Sequence, residues 1–285
     1  IVRANGEPLY TLVNPVDDIA MQITHVLRGE DLLSSTPRQL AMYEALGAPV
    51  PRFGHLPYVM GEGNKKLSKR DPQSNFQMYV DQGYLPEALV NYLALLGWSI
   101  GEDREFFSLQ EMAAAFDISR VNPNPARFDL KKCTAINGDW IRALDASDLA
   151  DRMVPFLQRD GVLGLQISED QRQLLVAATP LVQERLETLA QASGMLGFLF
   201  AGDGFAVNPD DAQKVLTEQG REVVRAAWEA LEPLDDFAAG PIQEVLREAL
   251  VAGLGIKPKL AFGPVRVAVT GRRVSPPLFE SMELL

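Results

Sequence analysis

Four cations and a hydroxyl fall within six residues at Lys65-Lys66-Leu67-Ser68-Lys69-Arg70, inside a stretch from 61 to 75 that otherwise holds mostly Gly, Asn, Ser, Asp and Pro. Such a stretch has neither helical nor strand periodicity and reads as a mobile loop. Lysine is a compact point charge on a long stem, so lysines on a loop can follow a phosphate while a bond to phosphorus changes partner. Basic runs of this length are also common on solvated surfaces, and the run alone does not separate the two readings. Just upstream, Phe53-Gly54-His55-Leu56-Pro57-Tyr58-Val59-Met60 is apolar and strand-like. A strand feeding a basic loop is where nucleotide phosphates sit in open α/β folds. Earlier still, Arg28 closes a strand-like run. An arginine there is either one half of a structural ion pair or a bidentate clamp for a carboxylate.

Other reactive side chains read more quietly. His25 and His55 are framework histidines, and Cys133 is a small buried apolar residue. Asp17-Asp18 makes a turn or ties down the lysine loop, with no third oxygen ligand nearby for a metal. Two histidines and one cysteine cannot supply a Cys/His zinc site. The lone cysteine also excludes an internal disulfide and fits a reducing compartment.

The elements that must position these groups follow from pattern. The 285 residues suggest about two domains. Runs at 9–16 and 23–28 predict two strands, with Val16-Asp17-Asp18 a turn. Thr36-Pro37 predicts a helix start, Leu40, Tyr43 and Leu46 its inward stripe, and Gly47 its end. From Tyr84 onward helices dominate. Leu85-Pro86-Glu87 opens one, with Leu89, Leu93 and Leu96 inward, and Ser108 with Glu111 forms a capping box. Ser147, Ser168 with Gln171, Thr179-Pro180 and Asn208-Pro209 predict further starts. No run of about 18 apolar residues exists, which excludes a membrane-spanning helix. The net charge is −11, yet residues 256–273 hold five bases and no acid. A basic strip on an acidic background suits nucleic acid, although solvated faces also look like this.

Taken in order, Tyr10-Thr11-Leu12-Val13-Asn14, Ile23 through Asp31, Ser34-Ser35-Thr36-Pro37, His55-Leu56-Pro57, Lys66-Leu67-Ser68-Lys69-Arg70 and Tyr84-Leu85-Pro86-Glu87-Ala88-Leu89 resemble the bacterial glutamyl-tRNA synthetases. Asn91 to Ser99 continues the likeness, and Phe128-Asp129, Asn137, Ile141-Arg142 and Val265 to Gly271 extend it more thinly toward the end. The resemblance implies a glutamate–tRNA ligase of class I, an enzyme that joins glutamate to ATP with Mg2+ and passes the glutamyl group to the terminal adenosine of tRNA(Glu). It implies Lys66 and Lys69 as catalytic and phosphate-holding residues. Tyr10, Asn14 and Arg28 would form the amino-acid pocket, and Asp31, Tyr58 and Val59 would meet ATP. Arg185, Arg266 and Leu278 would meet the anticodon. No metal site in the protein is implied.

The fold implied is α/β plus all-α. It comprises the C-terminal half of a Rossmann-type catalytic domain with the lysine loop at 1–75, a helical stem-contact connector at 76–142, and an all-α anticodon-binding domain at 143–285. The family's early adenosine-binding signature is absent from these residues, so the expectation is a fragment lacking the N-terminal half of the catalytic domain and inactive by itself. A cytoplasmic monomer is expected. Two other readings stay open: a non-catalytic tRNA-binding module, and a synthetase charging both tRNA(Glu) and tRNA(Gln). Ala135 where the family often has Trp, and Asp71-Pro72 where His-Gly is common, are departures from the pattern.

Overall fold

The computed structural model describes residues 1–61, 65–101 and 103–285; part of the loop expected at 61–75, residues 62–64, lies outside these. The chain forms two compact units. One holds residues 1–75 and 90–130, the other 76–89 and 131–285.

In the first unit, helix α1 (Tyr10–Ala20) precedes strand β1 (His25–Gly29). A 3-10 segment at Glu30–Ser35 leads into α2 (Thr36–Ala45), then β2 (Arg52–Leu56) and β3 (Val59–Met60). Strands β1 and β2 pair in parallel with Arg28 opposite His55. Beyond α3 (Phe76–Gln82), which belongs to the other unit, and α4 (Pro86–Leu95), the first unit continues with α5 (Leu109–Ala115) and strand β4 (Ala126–Arg127), which pairs in parallel with β3, Val59 opposite Ala126. The capping box at Ser108 forms as expected. The boundary between the units falls inside α4.

Two expectations fail here. Residues 9–16 are not a strand, and Val16-Asp17-Asp18 is not a turn; both lie in or against α1. The β-branched run carries weak local preference, and contact between α1 and α2 decides it. Helical spacing puts Asn14 and Asp18 on one face, where Asn14 Nδ2 donates to Asp18 Oδ2 at 2.9 Å. In α2 the buried residues are Gln39 and Tyr43, whereas Leu40 and Leu46 are exposed. That inward face is polar because it serves a half-buried cation, described below. In α4, likewise, Leu93 is exposed, and Ala88, Asn91 and Tyr92 are buried instead.

The second unit is helical. Helices α6 (Leu130–Ala143), α7 (Ala146–Arg159), α8 (Glu169–Gln183) and α9 (Gln191–Leu196) enclose one core that includes Leu149, Met153, Leu157, Leu175, Val182 and Leu186. Thr179-Pro180 does not start a helix; it lies within α8, whose capping box is at Ser168. The buried stripe Leu175, Ala178 and Val182 continues through the proline, so packing outweighs its missing N–H. Helices α10 (Pro209–Val215), α11 (Glu218–Leu231), α12 (Ala239–Leu246), α13 (Pro258–Thr270) and α14 (Leu278–Glu283) follow. A second core joins α11 through α14 around Val223, Ile242, Leu246 and Val265. Among the described residues, no helix is long and apolar enough to cross a membrane.

Gly83 and Asn137 join the start of α4 to the turn after α8. Gly83 has φ +76°, and a Cβ there would lie 2.7 Å from Leu189 Cβ and 2.8 Å from Phe156 Cζ. Buried Asn137 accepts from Leu85 N at 2.7 Å and donates to Glu187 O at 2.6 Å. Gly83→Ala should lower unfolding stability by about 2–4 kcal/mol, because it meets both strain and overlap. A urea titration of the two proteins checks this, and equal midpoints refute it.

Candidate functional site

Arg28 leaves the C-terminal half of β1 and points among groups from α1, α2 and β2. Its Nη2 donates to Gln39 Oε1 at 2.7 Å, to Thr36 Oγ1 at 2.9 Å and to Leu32 O at 3.4 Å. Nη1 donates to Asn14 Oδ1 at 3.3 Å, and Nε to His55 Nε2 at 3.4 Å. Its guanidinium carbon lies 5.2 Å from the centre of the Phe53 ring. Every one of these partners is neutral, and among the described residues Arg28 forms no ion pair. A half-buried cation without an opposite charge has both the potential and, at Nη1, one remaining N–H to offer an anion. That N–H can give a carboxylate one charge-assisted hydrogen bond.

The partners are themselves held. Gln39 Nε2 donates to Asn14 Oδ1 at 3.1 Å. The Tyr43 hydroxyl donates to Asp18 Oδ2 at 3.0 Å, and Asp18 in turn accepts from Asn14. Asp18 thus fixes the amide of Asn14 with its oxygen toward Arg28; it does not tie down the lysine loop. Thr36 Oγ1 lies 3.0 Å from His55 Nε2. The framework role expected of His55 holds, since its ring stacks at 7° on Phe53. His25, by contrast, is exposed, with Nδ1 2.9 Å from Thr24 Oγ1. Tyr10 is 52% exposed one turn before Asn14, on the same face of α1. Gln39, Thr36, Tyr43 and His55 were not read as site residues from the sequence. The one available signal was a polar residue at the helical step between Thr36 and Tyr43.

The lysine loop is built differently. Lys66 bridges to Met60 in antiparallel fashion, with Leu67 N donating to Val59 O at 2.9 Å. Lys66 Nζ sits 3.9 Å from the centre of the Tyr58 ring and 3.5 Å from Asp31 Oδ2. Tyr58 N donates to Glu30 Oε1 at 3.2 Å. Asp31, Tyr58, Val59 and Lys66 are therefore brought together. The Lys66–Asp31 pair is half exposed, and such pairs are worth about 0–1 kcal/mol, so a phosphate can replace the carboxylate cheaply. Lys69 rides on a turn closed by Ser68 N donating to Asp71 Oδ2 at 2.6 Å, with its side chain exposed.

In the helical unit two guanidinium groups converge on one turn. Arg185 Nη1 donates to Ser275 O at 2.8 Å. Arg266 Nη1 donates to Ser275 Oγ and Pro276 O, both at 2.6 Å. Burial and then the neighbouring Arg185 charge lower the Arg266 pKa below its usual value. Beside Arg266 runs a groove of about 640 Å³ lined also by Lys214, Lys259, Phe262 and Arg273, the last ion-paired to Asp211, with no acid in its lining among the described residues. Leu278 is only 3% exposed and packs in the second core. Its side chain therefore offers little free apolar surface, and it packs below the turn that the two arginines share.

Among the described residues, no group of three or more His, Cys, Asp or Glu side chains could hold a metal ion. Cys133 is buried, and burial alone pushes its thiol up to about 12.

Comparison with known proteins adds three findings. Residues 1–135 match the family described as tRNA synthetases class I (E and Q), catalytic domain, and residues 148–285 match the anticodon binding domain family. The glutamate–tRNA ligase of Kocuria rhizophila is 59% identical over all of this chain and 57% of its own length. That of Saccharopolyspora erythraea is 61% identical over 100% of this chain and 58% of its own. The crystal structure of a glutamate tRNA ligase from Elizabethkingia meningosepticum, solved with its amino acid, superposes with a TM-score of 0.80 at 27% identity, over 99% of this chain and 58% of that one. The chain therefore spans a little under three fifths of these relatives.

The Tyr43–Asp18 bond has a pH signature. Burial first, then the Asp18 bond and charge, push the Tyr43 hydroxyl up to about 12. The neutral phenol is the form that stabilises the fold, so its contribution is complete below pH 10 and is lost as pH rises toward 12. Tyr43→Phe should remove that alkaline loss and one late-ionising phenol. Phenolate absorbance with thermal melts between pH 9 and 12 reads both, and unchanged profiles would refute the assignment.

Proposed function

We propose that the chain, which matches the catalytic-domain family of the class I tRNA synthetases (E and Q) and the anticodon binding domain family, supplies the carboxylate clamp, lysine loop and RNA-reading part of a glutamate–tRNA ligase. The observation that carries the reading is the Arg28 guanidinium, preorganised by five neutral contacts and, among the described residues, without an ion-pair partner. A glutamate side-chain carboxylate neutralises it. A glutamine amide leaves it charged and unpaired, which costs affinity.

In the proposed reaction the α-carboxylate of glutamate attacks the α-phosphorus of ATP, and pyrophosphate leaves. A ribose hydroxyl of the terminal adenosine of tRNA(Glu) then attacks the carbonyl, and AMP leaves. Lys66 and Lys69 hold the phosphates as negative charge moves onto pyrophosphate, which is electrostatic stabilisation of the transition state. Lys66 would exchange Asp31 for phosphate. Tyr58 and Val59 would offer ring and backbone to the adenosine, and Mg2+ would arrive with ATP. Tyr10 and Asn14 complete the amino-acid pocket beside Arg28. Arg185 and Arg266 contact unstacked anticodon bases, their shared turn fixing the spacing, and the basic groove beside them suits the backbone. A division of labour at 1–75, 76–142 and 143–285, action in the cytoplasm, a monomeric state and dependence of catalysis on the length present in the relatives belong to the same proposal.

The test uses the complete enzyme. Glutamate-dependent ATP–pyrophosphate exchange that requires tRNA supports the reading; exchange that is absent or indifferent to glutamate overturns it. Arg28→Gln should lower kcat/KM for glutamate by at least about 100-fold, or ~2.7 kcal/mol, mainly through KM. Lys69→Ala should instead lower kcat by about 100-fold with the glutamate KM little changed. A loss confined to kcat in the first, or to glutamate KM in the second, reverses the assigned roles. Arg185→Gln should blur discrimination at the last anticodon base, measured as acylation of transcripts varied at that base. Unchanged discrimination removes Arg185 from the reading.

A further inference from the structure

Gln39 lies on the inward face of α2, between Thr36 and Tyr43, and is 1% exposed. Its contact with Arg28, Nη2 to Oε1 at 2.7 Å, is the shortest the guanidinium makes among the described residues. An arginine has only N–H donors, so Gln39 must turn its oxygen toward Nη2 and its nitrogen away. That nitrogen donates to Asn14 Oδ1 at 3.1 Å. Asn14 is fixed from its other end, because an ionised carboxylate only accepts, and Asp18 Oδ2 takes the Asn14 Nδ2–H at 2.9 Å. One line of hydrogen bonds thus runs from the Asp18 carboxylate through the Asn14 and Gln39 amides to the Arg28 guanidinium. Each amide in it has a single workable orientation.

Two neutral amides therefore stand between the charge of Asp18 and the charge of Arg28. The first is taken up by an amide and a phenol, and the second stays available. Glutamate and glutamine have side chains of the same length, so a pocket separates them poorly by size and must use charge and hydrogen-bond polarity. A carboxylate brings only acceptors, whereas an amide also brings N–H donors, which an arginine cannot receive. Preference for the acid then depends on the partners of Arg28 being neutral. At Gln39 one isosteric exchange, amide for carboxylate, would end that neutrality. The same exchange at Asn14 would set a second carboxylate against Asp18, a like charge that disfavours it.

We propose that Gln39 is the positioning residue that sets the acid-over-amide preference of the amino-acid pocket. Its oxygen fixes Arg28, and its neutrality leaves the guanidinium charge for the substrate's side-chain carboxylate. The proposal rests on the reading above that Arg28 takes that carboxylate, and adds a specificity-determining group that acts through Arg28.

The experiment follows tRNA-dependent ATP–pyrophosphate exchange by the complete enzyme. It reads the KM for glutamate, the inhibition constant of glutamine and the KM for ATP, with thermal melts showing which variants are folded. Gln39→Glu keeps the shape and adds a negative charge beside Nη2, and should raise the glutamate KM about 30- to 100-fold. Glutamine should inhibit that variant as well as before or better, so the preference for glutamate falls at least about 30-fold. Gln39→Met keeps the length and loses both hydrogen bonds, loosening Arg28 without neutralising it. It should weaken both amino acids about 5- to 10-fold and leave the preference in place. The ATP KM should move in neither variant. A Gln39→Glu enzyme that loses glutamate and glutamine in equal proportion gives Gln39 a structural role alone, and an unchanged glutamate KM shows that charge at this position is not felt; either result overturns the proposal. If Gln39→Glu does not fold, Gln39→Met decides: a raised glutamate KM with the ATP KM unmoved supports the proposal, and an unchanged glutamate KM overturns it. If Arg28→Gln leaves glutamate binding intact, the reading of the clamp fails and takes this inference with it. If Arg28→Gln weakens glutamate and Gln39→Glu does not, this inference alone fails.

Discussion

A guanidinium ion surrounded by neutral acceptors keeps its charge and loses its freedom to move. Arg28 is in that state, and much of the first unit is arranged around it. Residue 28 lies near the end of the half-exposed strand β1, α1 brings Asn14, α2 brings Thr36 and Gln39, and β2 brings His55 and the Phe53 ring. Each partner supplies a lone pair or an aromatic face, and none supplies a negative charge. Had Asp18 reached Arg28 directly, the clamp would be satisfied within the protein. Asp18 is instead occupied by Asn14 and Tyr43. It therefore orients the amide and leaves the cation open.

The lysine loop follows the opposite logic. Its cations lie at the surface, where salt bridges are weak and exchangeable, and the loop is anchored through backbone bonds beside β3 and through the Ser68–Asp71 turn. Fixed backbone and loosely held ammonium groups suit charges that must track a moving phosphate. In the helical unit the device is a turn shared by two arginines. Two like charges share the Ser275–Pro276 turn and repel each other, with Glu280 offsetting part of that repulsion at Arg266. The buried Leu278 and the αL residue Gly271 hold the turn from either side.

Short-range signals in the chain were readable where one residue type does one job. The capping boxes at Ser108 and Ser168, the Asn208 cap and the helix end at Gly47 all depend on groups within a few residues, and all were legible. The basic hexamer was visible too, because its chemistry lies in its own side chains. Residues 9–16 misled because β-branched runs suit a strand or a packed helix, and only the partner decides which. Pro180 misled for a related reason: a proline usually starts or ends a helix, but a continuous buried stripe carries α8 through it.

By itself the sequence determined the cations, the caps, the lone thiol and the ordered set of motifs that resembles the synthetases. These are local quantities, set by side-chain chemistry and spacing along the chain. Tertiary structure alone decided that Gln39, Thr36, Tyr43 and His55 serve Arg28, and that Leu278 is buried in the second core. Those facts depend on which groups meet across 8 to 27 residues or more of intervening chain, and on which charges go uncompensated there. Composition carries no record of such meetings, because the same side chains could be satisfied by water, by a neighbour or by a ligand until packing removes the alternatives.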